Sequence, residues 1–144
     1  MSTKLPSLEG FQAFLGRSWP TMLGVVGTVR ADGSPHIVPV WYHYDDEFVN
    51  IWTHAERGWV KNLARDNRVA FSVQEDKPPF AAVLLRGWAE IITGDTQEVT
   101  AEIRRITERY VEAASVDSYI RSWTHLKTIV RIKPEKIVAW GRGY

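Results

Sequence analysis

Between Met22 and Thr53 the chain places three strand-like segments in succession with only short polar turns between them, and this spacing limits the folds open to it. Met22–Val29 is rich in small and β-branched residues, His36–Tyr44 (HIVPVWYHY) is apolar or aromatic almost throughout, and Phe48–Thr53 follows. The connections, Arg30-Ala31-Asp32-Gly33-Ser34 and Asp45-Asp46-Glu47, have hairpin composition. A parallel pair would need a crossover of a dozen residues or more, so these strands are expected to run antiparallel.

The same alternation of strands and tight turns continues. Val69–Gln74 and Ala81–Ile92 read as a fourth and a fifth strand, Lys127–Ile132 as a sixth, and Lys136–Trp140 as a short seventh strand or an extended tail. Helices are few and peripheral. Leu8, Phe11, Phe14 and Leu15 have helical spacing behind Ser7 as N-cap, Arg57–Ala64 forms a short helix, and Ser115–Trp123 another. The clearest helix signal is Asp95-Thr96-Gln97-Glu98, which has the form of a capping box, followed by Val99, Ile103, Ile106 and Tyr110. Six or seven antiparallel strands with peripheral helices predict a mainly β barrel, in one domain spanning 1–144 with 1–19 as an N-terminal helix and lead-in.

Two residues interrupt the strand pattern. Pro39 donates no ladder hydrogen bond, so it marks an edge, a bulge or a place where neighbouring strands part. Both faces of its segment are apolar, so both are expected to be covered. Gly87 suggests a bulge or a close backbone approach in the fifth strand.

Composition excludes several kinds of function. With 18 basic and 17 acidic residues, dispersed, there is no electrostatic case for nucleic acid. Without cysteine there is no disulfide and no thiolate chemistry, and no run approaches the ~20 apolar residues of a membrane span. A cytoplasmic protein is expected, with no membrane partner. The histidines lack zinc-site spacing, so no metal is expected, and neither a GxSxG elbow nor a GxGxxG fingerprint occurs. What remains are binding groups, among them the stretch Asn50–Leu63, where a strand passes through a polar turn into a short helix. On these residues alone the plain reading is an ordinary connection. The second reading is an anion site formed by Thr53, Arg57, Lys61 and the helix amides. Such a chain would take its reactivity from a cofactor.

Three runs in order, GTVRADGSPHIVPVWYHYDDEFVNIWTHAERGWVKNLARDNRVAFSV, then LLRGWAEI, then the terminal VAWGRG, resemble the pyridoxamine 5'-phosphate oxidase-like split-barrel flavoproteins over roughly residues 20–142. The likeness is to the small branch using FMN or the related deazaflavin coenzyme. It implies a split barrel, a homodimer with the site between two chains, and an oxidoreductase acting on a planar small organic substrate. The alternative it leaves is a non-catalytic flavin, haem or tetrapyrrole carrier.

The resemblance also implies site residues. The strand holding Val38, Pro39, Val40 and Trp41 would run beside the flavin ring, with Trp41 and His43 lining a substrate slot. Thr53, His54 and the turn after them would face the phosphate, helped by Arg57, Lys61 and the helix amides, with Asn62 closing the pattern. Gln74 would approach the ring, and Trp140 and Arg142 would reach across from the partner. One position departs from the pattern. Members usually carry lysine three residues before the Asn-Leu pair, and here Trp59 stands there. Lys61 lies about 200° further round the helix, so Arg57 is the better substitute.

Overall fold

The structure is a computed structural model that describes residues 8–17, 21–78 and 80–141. The expected N-cap Ser7, much of the lead-in, and Arg142 lie outside the described residues. Seven strands, β1 (Gly24–Val29), β2 (Pro35–Val40), β3 (His43–Tyr44), β4 (Val49–Thr53), β5 (Arg68–Gln74), β6 (Ala82–Thr93) and β7 (Thr128–Trp140), form one antiparallel sheet in the order β2-β1-β5-β6-β7-β4-β3. Four α-helices accompany it: α1 (Leu8–Gly16), α2 (Gly58–Arg65), α3 (Gln97–Tyr110) and α4 (Val116–Arg121).

The strand order itself forces the curl. β2 and β3 are the two edges of the sheet, yet only Trp41 and Tyr42 join them. Laid flat, seven strands would separate their edges by about 29 Å, whereas the step from Val40 to His43 spans at most about 11 Å. The sheet therefore closes on itself into a half-barrel, split where β2 and β3 part.

Here the single strand expected over His36–Tyr44 is corrected to two. The ladder stops because Tyr42 takes side-chain partners in place of strand partners. Its carbonyl accepts from Arg109 Nε at 2.7 Å and its amide donates to the Tyr110 hydroxyl at 3.4 Å, both from the end of α3. Trp41 stacks on Tyr110, with ring centroids 5.0 Å apart and planes 8° from parallel. The tail of the chain is corrected in the opposite direction. Lys127–Ile132 and Lys136–Trp140 do not separate: Thr128–Trp140 is one strand. Pro134 is tolerated because it lies opposite Gly87, where the β6–β7 register shifts. A Cβ at Gly87 would stand 1.9 Å from the Lys133 carbonyl oxygen, so glycine is required at this bulge.

The barrel interior is filled by Val26, Tyr42, Ile51, Phe71 and Val130 among others, joined by Phe11 and Leu15 of α1 and by Trp59, Val60 and Leu63 of α2. A second cluster, Val99, Ile103, Ile106 and Ile129, packs α3 on the sheet together with Trp41 and Trp52. The α3 start follows its capping signal: Thr96 Oγ1 accepts from Val99 N at 3.2 Å, while Glu98 pairs with Arg131 instead of closing the box.

One face of β2 is left uncovered, contrary to the expectation for both faces. Ile37 is 70% exposed. Across the outer surface its neighbours in register are Gly27, Ala70, Arg86 and Lys136, and the adjacent row is Pro39, Val25, Ser72, Leu84 and Val138. The middle of this face is built from small residues, and Leu84 and Val138 stand exposed beside them.

Candidate functional site

Two cavities meet at Leu23 and Pro39. The inner one, about 290 Å³, opens at the split and is bounded by Val38–Trp41 on one side and by Thr53, Arg57 and Trp59 on the other. The second, about 560 Å³, lies along the outer face over Val25, Ser72 and Gln74. Pro39 explains the junction. As an edge-strand proline it pairs with Val25 on one side and presents no amide to the other, so β2 ends the sheet there.

At the base of the inner cavity, β4 delivers Thr53, buried at 3% exposure, and a turn brings the chain into α2. Arg57 N donates to the His54 carbonyl at 3.2 Å, and Arg57 is the N-cap of α2 in extended geometry. No side chain caps this helix, so its first amides have no intramolecular side-chain acceptor, and Arg57 and Trp59 at its start line the cavity. Among the described residues no hydrogen bond or ion pair engages the Arg57 guanidinium. An uncapped helix start, a hydroxyl and a forked cation at the base of one cavity fit a phosphate group.

The other expected residues divide. Val38, Pro39, Val40, Trp41, Thr53 and Arg57 gather on the inner cavity. Gln74 lies on the outer one, and Trp140 shares its row, because both are in register with Ala82. Lys61 does not come to the site. It is exposed and reaches back to Glu56 at 3.6 Å, as its angle round the helix requires. Asn62 turns inward to the scaffold: its Nδ2 donates to Thr28 Oγ1 at 3.0 Å and its Oδ1 accepts from Arg65 at 3.1 Å, fastening α2 to β1. It lines a separate hollow with Arg30, His36 and Arg65.

His54 also lies beside the cavity without lining it. Its ring stacks on His125 at 3.9 Å and 12°, and burial, followed by the His125 and Arg57 charges, lowers its pKa from the ordinary value. His43, expected in a substrate slot, instead pairs through Nδ1 with the buried Glu102 at 3.0 Å. Trp59 is 4% exposed and packs in the barrel core while closing the cavity floor. Among the residues lining the inner cavity, Arg57 is the one cation.

The wall opposite β2 is made of residues that no motif marks. Trp52, Tyr119 and Trp123 complete the inner cavity, the last two from α4 and the connection after it. Their one sequence signal was aromatic residues set among polar ones, with nothing to say which cavity they would join. No group of three or more potential metal-ligating side chains occurs among the described residues. No described helix is long and apolar enough to cross a membrane.

A curled antiparallel sheet split beside an edge-strand proline, with a helix start in the opening, defines the split-barrel class. The chain belongs to the pyridoxamine 5'-phosphate oxidase family, whose sequence model matches residues 12–141. Among solved structures it is similar to a conserved hypothetical protein from Mycobacterium tuberculosis, at 26% identity and TM-score 0.68 over 84% of this chain and 78% of that one. It is also similar to an F420 reductase, at 24% identity and TM-score 0.65 over 88% and 94% of the two chains. A third likeness is to the haem storage protein HutZ from Vibrio cholerae, at 18% identity and TM-score 0.69 over 84% and 87%. The last two likenesses establish the fold alone.

Proposed function

We propose that this chain is a cytoplasmic, homodimeric oxidoreductase that uses a flavin-type cofactor, FMN in the first place or its deazaflavin counterpart, on a planar small organic substrate. The observation that carries this reading is the pair of cavities joined at Pro39. The uncapped start of α2, Thr53 and Arg57 would hold the phosphate, and the strand Val38–Trp41 would lie beside the ring on its way to Gln74. Trp140 and Arg142, at the end of the chain, would face the neighbouring copy. When bound, the cofactor supplies hydride or electron transfer, chemistry that no side chain here offers. The protein positions, excludes water and hydrogen-bonds, so no side-chain acid or base is assigned.

The exposed apolar face around Ile37, Leu84 and Val138 supports the homodimer, since it borders the outer cavity and a second copy would cover both. Purified protein mixed with FMN is expected to retain flavin absorbance through gel filtration and to bleach with a reduced nicotinamide or deazaflavin donor. Absence of retained flavin or deazaflavin would refute the reading.

A second reading, a carrier that holds a flavin, haem or other tetrapyrrole without turnover, is favoured by the buried Trp59, which gives the cavity an apolar floor in place of a second cation. It predicts a retained chromophore that no donor reduces.

A further inference from the structure

No strand pairs with the link Trp41–Tyr42, although Trp41 forms part of the inner cavity wall: the β1–β2 ladder stops at Val40 and the β3–β4 ladder begins at His43. What fixes the link is the end of α3. Arg109 and Tyr110 are the last two residues of that helix, and between them they hold the carbonyl and the amide of Tyr42. Tyr110 reaches further. Its hydroxyl donates to the Met22 carbonyl at 2.7 Å, while its ring lies against Trp41. Beside it, Thr21 Oγ1 donates to the Arg109 carbonyl at 2.6 Å. Thr21 and Met22 line the outer cavity, and Leu23, next in the chain, lines both. Neither Arg109 nor Tyr110 is among the residues lining either cavity. Two adjacent side chains thus tie the walls on both sides of Pro39 to one helix, which Val99, Ile103 and Ile106 anchor on the sheet.

We propose that Arg109 and Tyr110 are positioning residues, which set the width and angle of the mouth at Leu23 and Pro39 and thereby the orientation of the planar cofactor ring passing through it. The proposal rests on the flavin reading above. Transfer of hydride or electrons depends on a closely held geometry, and side chains on a packed helix supply it better than a link without strand partners. Any apolar ring at position 110 could pack on Trp41. Only one with a hydroxyl can also accept from the Tyr42 amide and donate to the Met22 carbonyl, joining the two walls. Burial raises the pKa of Tyr110 above the ordinary 10.0, so the hydroxyl keeps the proton it donates at neutral pH.

The test uses the full chain with Tyr110→Phe, Arg109→Gln and, as a control, Thr107→Val. Thr107 lies one turn earlier on α3, is fully buried and donates to the Ile103 carbonyl at 2.7 Å, so its replacement costs stability without touching either cavity wall. One readout is the affinity for FMN or a deazaflavin, whichever the unaltered protein binds. The other is the visible circular dichroism of that ligand at saturation, which reports how the ring is held and not how much protein is folded. Tyr110→Phe keeps the ring and loses the hydroxyl; it is expected to weaken binding about tenfold and to alter the visible signal. Arg109→Gln should move both readouts in the same direction, and Thr107→Val should lower the melting temperature and move neither. Should Tyr110→Phe fail to fold, Arg109→Gln carries the comparison. A visible signal unchanged in both variants, or changed as much by Thr107→Val, overturns the proposal and leaves the flavin reading standing. No binding of either ligand by the unaltered protein overturns both.

Discussion

The inner cavity and the outer face lie on either side of Pro39 and are built on opposite principles. The inner cavity is walled by tryptophan and tyrosine and supplied with a cation, a hydroxyl and an uncapped helix start from a single chain. The outer face carries the larger hollow, about 560 Å³, its centre made of small residues such as Gly27, Ala70 and Ser72, its exposed borders of Ile37, Leu84 and Val138. Large side chains create a recess that one chain can finish alone. Small ones leave a broader hollow with exposed apolar borders, which gains its specificity only when something else covers it. The contrast separates what one copy of the protein can bind from what two copies would have to bind together.

The harshest way to break this contrast is to remove what both regions share. Gly87→Val drives a side chain into the Lys133 carbonyl at the bulge, and a loss of about 3 kcal/mol or more is expected, measured by urea unfolding. Next comes the outer face alone. Ile37→Lys combined with Leu84→Lys puts charge on the uncovered strands, and sedimentation equilibrium should show association weakened by about 3 kcal/mol, roughly a hundredfold. The inner cavity is tested by Arg57→Ala, expected to weaken FMN binding by roughly 1–3 kcal/mol in calorimetry, against Lys61→Ala, expected to change it less than about twofold. Reversal of that pair would move the phosphate to the other side of α2.

The smallest effect concerns His54. Its folded pKa is below the ordinary 6.5, mainly through burial. Between that value and the depressed one the unfolded chain binds more protons than the folded chain, so stability falls as pH falls through this window and levels off beneath it. Proton NMR of the imidazole should give the lowered midpoint, with denaturation midpoints following it. A midpoint at or above 6.5 would mean that the wall around Trp123 does not bury the ring.

Features encoded by neighbouring residues could be read from the sequence. The hairpin turns, the Thr96 start of α3 and the Gly87 bulge each depend on a few adjacent residues. The break at Trp41–Tyr42 was hidden because apolar residues run through it, and its cause is Arg109 and Tyr110, nearly 70 positions away. Joining the last two strand signals required knowing that Pro134 faces Gly87. For the site, the β2 and α2 residues were marked by proline and by the polar turn, whereas Tyr119 and Trp123 join the cavity only through tertiary packing of α4. Lys61 and Asn62 sit on the right helix but face away from the cavity, a distinction that depends on how α2 is rotated against β1.

The two-residue link at the split also constrains the order of folding. The hairpins β1–β2, β3–β4 and β5–β6 join residues close in sequence and can pair early. The partners that bring the two edges together are distant: Asn50 lies opposite Arg131 in β4–β7. Loop closure over that distance is slow, so the edges should meet late, after β7 has docked. The recess between them would then be the last part of the molecule to acquire its shape, and a nascent chain would have no binding site until its C-terminal strand has been made.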